Sequence, residues 1–240
     1  NIGTVTNRGE ISLADKRLSD LKCFKKRNLF NNNNRNTESP YFCLFEFEDK
    51  LWFGTSGGRI RVIDNEPGAN HLISMDVNSD IISIMPLNQR EFIILTSHDG
   101  FFIYNPLTGD RKHYKRNNYP DLPTDNMVSA YIDRFGEAWI ETTSDGVVHY
   151  DPFNNSLKHF RMKVDRTDPN VLLPSFVIFE DKNDNLWVYP RGGGFSYYNR
   201  TEKKLEYFFN EPGSPDRRCT SSIASTSRGS AIASTIESSR

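Results

Sequence analysis

Arginine, aspartate and serine recur in this chain in one kind of setting. Each lies in a short polar segment that contains glycine and precedes an apolar run. The segments are "TSGGR" (55–59), "TSHDG" (96–100), "TTSDG" (142–146) and "PRGGG" (190–194). They carry Ser56, Arg59, His98, Asp99, Ser144, Asp145 and Arg191. A further stretch, "YPDLPTDN" (119–126), carries Tyr119, Asp121 and Asp125. Planar cations and carboxylates make directed hydrogen bonds to hydroxyls, and an aromatic ring covers the apolar face of a sugar. Carbohydrate binding is therefore the chemistry these residue types imply. Each of them is also an ordinary turn residue, and taken singly that plainer reading stays open.

Other groupings carry less chemistry. His71, His98, His113, His149 and His159 show no close ligand spacing. His149 and His159 could face one another across a hairpin, but two histidines without a third ligand do not make a metal site. Cys23, Cys43 and Cys219 are odd in number and far apart, which suits neither a disulfide framework nor zinc. Gly192-Gly193-Gly194 links two strand patterns with no helix after it, so it reads as a hairpin turn rather than a phosphate loop. No catalytic residue, metal or cofactor is expected. Two basic runs, "KCFKKR" (22–27) and "RKHYKR" (111–116), fall on predicted outermost strands, where cations prevent edge-to-edge aggregation. A surface for an acidic partner is the alternative.

The 240 residues carry a formal net charge of −1, which argues against a general nucleic-acid binder. No apolar run is long enough to span a bilayer, so membrane attachment is expected only through segments outside this chain. The chain begins at Asn1 without a leader pattern and is expected to be a piece of something longer.

The polar segments belong to a repeat. Three residues after Trp52, Trp139 and Trp187 stand Thr55, Thr142 and Pro190. Thr96 fills the slot with Ile93 in the tryptophan position, Thr4 fills it at the start, and Thr235 fills it near the end with Ile232. The spacing is roughly 40–50 residues, the range of repeated four-stranded units. Within the third unit, "MVSAYID", "EAWIET", "VVHYD" and "SLKHFRM" read as four strands separated by glycine and asparagine turns. Runs such as "DIISIM" and "EFIILT" are apolar without alternation, which implies sheets covered on both faces. A propeller blade has this property. The tryptophan is then a filler between neighbouring blades.

Three stretches, "EDKLWFGTSGGRIRVID", "DRFGEAWIETTSDGVVHYDP" and "EDKNDNLWVYPRGGGFSYYN", carry an acidic or glycine-rich turn, Trp, Thr or Pro, a glycine turn and a further strand, aromatic in two of them. This order resembles the two-component regulator propeller repeat, and "IILTSHDGFFIYNP" matches it in part. The resemblance implies a periplasmic sensor region of a Bacteroidetes hybrid histidine kinase, responding to polysaccharide breakdown products. It also implies a kinase outside this chain and a homodimer formed by the full-length protein. The spacing Asp133-x-x-Gly136-x-x-Trp139 also resembles the Asp-box of sialidases, itself a structural turn in those folds. A sialidase-like glycosidase and a protein-interaction scaffold are the alternatives to the sensor.

The expected fold is all-β: a β-propeller fragment (1–240) of four-stranded antiparallel blades. Full blades are expected at 40–76, 80–116, 127–163 and 174–210, with the end of one blade at 1–30 and the start of a degenerate one at 221–240. Because both ends supply the same second strand, the fragment is not expected to close a ring. The loops from second to third strand and those between blades form the expected binding face, with Arg59, His98, Asp99, Ser144, Asp145, Arg191, Tyr119 and Asp121 upon it.

Overall fold

The computed structural model describes residues 2–5, 10–14, 27–28, 41–48, 50–64, 70–144, 146–161, 176–190 and 195–208. All regular structure among them is β. Strands β1 (Ile2–Val5), β2 (Glu10–Ala14) and β3 (Arg27–Asn28) pair in that order. A first four-stranded sheet contains β4 (Tyr41–Phe47), β5 (Lys50–Thr55), β6 (Arg59–Asp64) and β7 (Asn70–Ser74). A second contains β8 (Ile81–Pro86), β9 (Phe92–Thr96), β10 (Phe101–Tyr104) and β11 (Arg111–Tyr114). The third runs through β12 (Met127–Ile132), β13 (Ala138–Thr142), β14 (Gly146–Asp151) and β15 (Ser156–Arg161). The fourth holds β16 (Phe176–Glu180), β17 (Leu186–Pro190), β18 (Phe195–Asn199) and β19 (Lys204–Phe208). Every sheet is an antiparallel meander. The chain divides into two compact units, 1–162 and 163–240, and the fourth sheet belongs to the second. Residues 221–240 lie outside the described residues, as does the expectation of an unclosed ring that rests on them.

Alternation along β9 and β10 explains why their sequence shows none. Phe92, Ile94, Phe102 and Tyr104 pack with Trp52, Ile60 and Val62 of the first sheet. Their chain neighbours Ile93, Leu95, Phe101 and Ile103 pack with Ala138, Ile140, Val148 and Tyr150 of the third. Strand geometry sends successive side chains to opposite faces, and here both faces are core. Burying each such side chain stabilises by about 1.5–3 kcal/mol. The first strand of each four-stranded sheet in the first unit is bulged at its second residue: Phe42, Ile82 and Val128 are skipped in the pairing register. The bulge bends the strand locally.

The Asp…Trp spacing is a turn clamp. Asp133 Oδ1 accepts hydrogen bonds from the backbone N–H of Phe135 and Glu137, both 2.9 Å long, and Oδ2 accepts from Trp139 Nε1 at 3.1 Å. Asp181 does the same for Asn183, Asn185 and Trp187, with 3.1 Å to the indole. The fourth residue of each turn is left-handed, Gly136 at φ 79° and Asp184 at φ 63°. In the second sheet the clamp is replaced as a pair. Leu87 and Ile93 stand where aspartate and tryptophan would be, both buried, and Asn88 Oδ1 accepts from the N–H of Arg90 and Glu91 instead.

Trp52 is buried with its ring edge-on to Phe92 at 5.3 Å, and its Nε1 has no hydrogen-bond partner among the described residues. Trp139 is fully buried, stacked on His149 at 4.4 Å. Trp187 is only half-buried within its own sheet, between Phe195 and Tyr197. Trp139→Phe removes a bond to a carboxylate, whereas Trp52→Phe removes none seen here. We therefore expect Trp139→Phe to cost about 1–2 kcal/mol more than Trp52→Phe in urea unfolding. Trp139→Ala, which empties the site, should cost about 3–5 kcal/mol. Equal costs for the two phenylalanine variants would show that the indole–carboxylate bond has no net value.

Candidate functional site

The recurring threonine shapes the turn from second to third strand. Thr55 Oγ1 donates to the Arg59 carbonyl at 3.0 Å, and Thr96 Oγ1 to the Gly100 carbonyl at 2.7 Å. Thr142 Oγ1 lies 2.6 Å from Ser144 Oγ. All three threonines are buried. The glycine that ends two of these turns is required by closeness. A Cβ on Gly100 would stand 2.0 Å from the Tyr114 carbonyl oxygen, and one on Gly146 would stand 2.0 Å from that of Phe160.

Backbone hydrogen bonds link these turns into one rim. Gly58 N–H donates to Ser79 at 2.6 Å, which ties the β5–β6 turn to the connection between the first and second sheets. That connection reaches the β9–β10 turn: Ser97 N–H donates to Asp80 at 2.9 Å, and His98 N–H donates to Ser79 Oγ at 3.0 Å. Gly100 N–H then donates to Asp125 at 2.8 Å, and Thr143 N–H to Asn126 at 3.1 Å, so the next connection joins the β9–β10 and β13–β14 turns. The rim carries Ser56, Arg59, His98, Asp99, Ser144 and Asp125 at one end of the three sheets. Asp145 and Arg191 lie outside the described residues.

The residues differ in how far they are engaged. Arg59 and His98 are exposed, and His98 Nδ1 is 2.6 Å from Ser97 Oγ. Asp99 is held within its own sheet. Lys115 Nζ is 3.4 Å from its carboxylate, and His113 Nε2 is 3.9 Å from it and 2.7 Å from the Asp99 carbonyl. Asp125 Oδ1 accepts from the Arg116 N–H at 2.6 Å and fixes the connection. Tyr119 is half-buried and packs 4.6 Å from Tyr114 at the border of the core. Asp121 is exposed and lines a cleft between its connection and β15. Sequence reasoning missed Lys115 and His113 as partners of Asp99; the basic run "RKHYKR" was the available signal.

Two other groupings resolve plainly. The β14–β15 register pairs Val148 with His159 and His149 with Lys158, so the two histidines are not opposite one another and, one residue out of register, project from opposite faces. Among the described residues no group of three His, Cys, Asp or Glu side chains is placed to hold a metal ion. Burial pushes the Cys43 thiol up to about 11, which leaves it protonated and unreactive near neutrality.

Comparison with solved structures follows the sheets. The extracellular domain of BT4673 from Bacteroides thetaiotaomicron, described as a one component and as a hybrid two component system, matches 86% of this chain at TM-score 0.61 and 14% identity. The extracellular domain of the hybrid two component system BT3049 from the same organism matches 78% at TM-score 0.53 and 17% identity. Virginiamycin B lyase from Staphylococcus aureus matches 89% at TM-score 0.56 and 13% identity, over 70% of its own length. This chain spans only 27% of the BT4673 and BT3049 structures. No family model matches it, and no curated protein matches it in sequence. The chain is all-β, and its four-stranded antiparallel sheets are β-propeller blades. It resembles the extracellular domains of bacterial sensor systems.

Towards its end opposite the rim, the third sheet buries titratable groups. Asp151 accepts from the N–H of Phe153 and Asn154 and from the Asn154 side chain. Burial raises its pKa, but these bonds outweigh it and hold the carboxyl below its ordinary value; Asp181 behaves likewise. Their contribution to stability is present above about pH 4 and is lost only in stronger acid. His149 acts in a different window. Burial lowers its pKa and outweighs the Glu137 carboxylate 3.1 Å from Nε2, so the folded state favours neutral imidazole. A depressed histidine contributes stability fully above its ordinary value near 6.5, and that is lost as pH falls through the folded value. Urea unfolding should show stability declining from pH 7 to pH 5, and the decline should flatten in His149→Gln. An unchanged slope in that variant would place the acid sensitivity elsewhere.

Proposed function

We propose that this chain is part of an extracellular ligand-sensing propeller of a bacterial two-component sensor, and that it binds oligosaccharides at the rim of second-to-third-strand turns. The observation that carries this reading is the rim itself: three turns and two connections joined by backbone hydrogen bonds, displaying Arg59 and His98 to solvent. A fixed rim loses little conformational freedom when it binds. Arginine and imidazole orient hydroxyls, and Asp99, braced by Lys115, offers acceptors. Likeness to sensor extracellular domains supports the setting but fixes the fold alone.

In this reading the propeller does no chemistry, and a histidine kinase outside this chain supplies the output. Ligand changes how two subunits pack, because signalling requires different affinity for two arrangements. The location is then periplasmic or extracellular. Calorimetry against a panel of neutral glycan fragments tests the site. Arg59→Ala should weaken the best ligand by about tenfold, one lost charge-assisted hydrogen bond, and thermal melts should stay unchanged because the side chain is exposed. If Arg59→Ala and His98→Ala bind every fragment as well as the parent, the rim is not the binding face. A protein partner captured at the rim without any glycan affinity would favour the scaffold alternative.

A further inference from the structure

A cleft of about 470 Å³ opens on the outer flank of the second and third sheets, apart from Arg59 and His98. One wall is β15, the edge strand of the third sheet. The other is the connection that follows β11, residues 115–126. Arg116 and Arg161 line the cleft against one carboxylate, Asp121, with His159 beside them; Lys158 borders it too, but its Nζ lies over the Phe160 ring at 4.7 Å on the other face of the strand. The whole chain has a net charge of −1, so this concentration of positive charge is local and runs against the average.

Alternation along β15 puts Leu157, His159 and Arg161 on one face of the strand. Leu157 packs against the core cluster, which leaves His159 and Arg161 further along the same face. Period two also explains why the sequence hides the cleft: its cations come from segments about 45 residues apart, and only one of them belongs to a basic run. The opposing wall is built rather than loose. The Lys115 carbonyl accepts from Asn118 and Tyr119 N–H, both at 2.9 Å, and the Tyr119 carbonyl accepts from Leu122 at 2.9 Å. Asp125 holds the Arg116 N–H at 2.6 Å, and Leu122 is fully buried as an anchor. Pro120 and Pro123 restrict the backbone between these ties. Leu157, Pro120 and Pro123 give the cleft an apolar part beside its charged one.

Cations on two ordered walls, with apolar surface between them, suit a small molecule bearing an oxyanion on a compact skeleton. We infer that this cleft binds the carboxylate or phosphate of a small organic acid, with Arg116 and Arg161 as the principal contacts. Asp121 repels such a ligand and lowers its affinity, the more so the higher the ligand's charge. Arg59 and His98 do not border the cleft, so the inference concerns other side chains, although one wall of the cleft is the connection that Asp125 and Asn126 tie into the rim.

Calorimetry with the intact 240-residue chain tests it, using digalacturonate, its neutral counterpart galactobiose, and inorganic phosphate. At least one of the two anions should bind, and galactobiose should not compete with it. Affinity should fall steeply as salt rises, as expected for exposed charges. The Arg116→Gln/Arg161→Gln double variant should lose at least about tenfold in affinity, and Asp121→Asn should gain roughly two- to fivefold. Both arginines and Asp121 are exposed, so thermal melts should match the parent. Binding of phosphate alone would identify a phosphate source, and binding of digalacturonate alone a sugar acid; either supports an oxyanion site. If neither anion binds, if galactobiose binds as tightly, or if the double variant keeps full affinity, the inference is overturned.

Discussion

The structure depends on a sheet that has no outside. In β9 and β10 two runs of four consecutive apolar positions, 92–95 and 101–104, are split by strand alternation into two sets, and each set needs a core of its own. Phe92 and Ile94 cannot be satisfied by the neighbours that satisfy Ile93 and Leu95. A single two-layer packing would leave one set in water, at about 1.5–3 kcal/mol for each side chain. Both faces need a covering layer, and here each layer is another sheet, which faces the same demand in turn. Repetition of the four-stranded unit is thus the consequence of a strand pattern, and the outer faces of any fragment stay apolar. In the second unit Val177, Phe179 and Tyr189 are exposed on the fourth sheet.

Turn chemistry then fixes what the stacking leaves free. The aspartate clamp closes the hairpin between first and second strands and draws the tryptophan ring to a defined position, through bonds that are repeated at Asp133 and Asp181. The second sheet shows that the clamp has two separable parts. Removing both indole and carboxylate in favour of Ile93 and Leu87 leaves no buried polar group unpaired, and Asn88 takes over the turn amides. The first sheet separates them differently: Trp52 keeps its ring without a described acceptor, so packing alone retains it. At the other end of the hairpin the threonine hydroxyls set the turn that builds the rim. Fold and candidate site are therefore not independent; the residue that ends the second strand also presents the neighbouring polar side chains.

Much of this was legible in the sequence, because it rests on local rules. Turn residues, the tryptophan period and the unalternating runs each report one strand or one hairpin, and together they specify the sheets. What escaped depended on register or on distance. Whether His149 meets His159 is decided by a one-residue offset across β14 and β15, which composition does not carry. Asp99 looks like a free acceptor in "SHDG", yet Lys115 and His113 from the edge strand region engage it. Tyr119 looks like a loop aromatic suited to stacking on a sugar, but Tyr114 draws its ring to the core border. The expected binding end was readable as an end; the engagement of each side chain at it was not.

If ligand binds at the rim as proposed, the rim constrains how a signal could leave it. Gly58, Ser79, Ser97, Asp125 and Asn126 join neighbouring loops by backbone bonds, and a ligand cannot reorder one loop without breaking bonds to the next. Beneath them the turns are pinned by buried threonines and the sheets by two apolar cores. Close-packed interiors of this sort do not deform continuously. A ligand that binds such a surface gains affinity from its rigidity and has little local change to induce. Its effect must then lie in which larger arrangement of the protein it favours, through contacts present in one arrangement and absent in another. On this view the stiffness of the blades is what allows binding energy at an exposed arginine to act at a distance: energy not absorbed by a yielding loop remains to bias the packing of whole bodies.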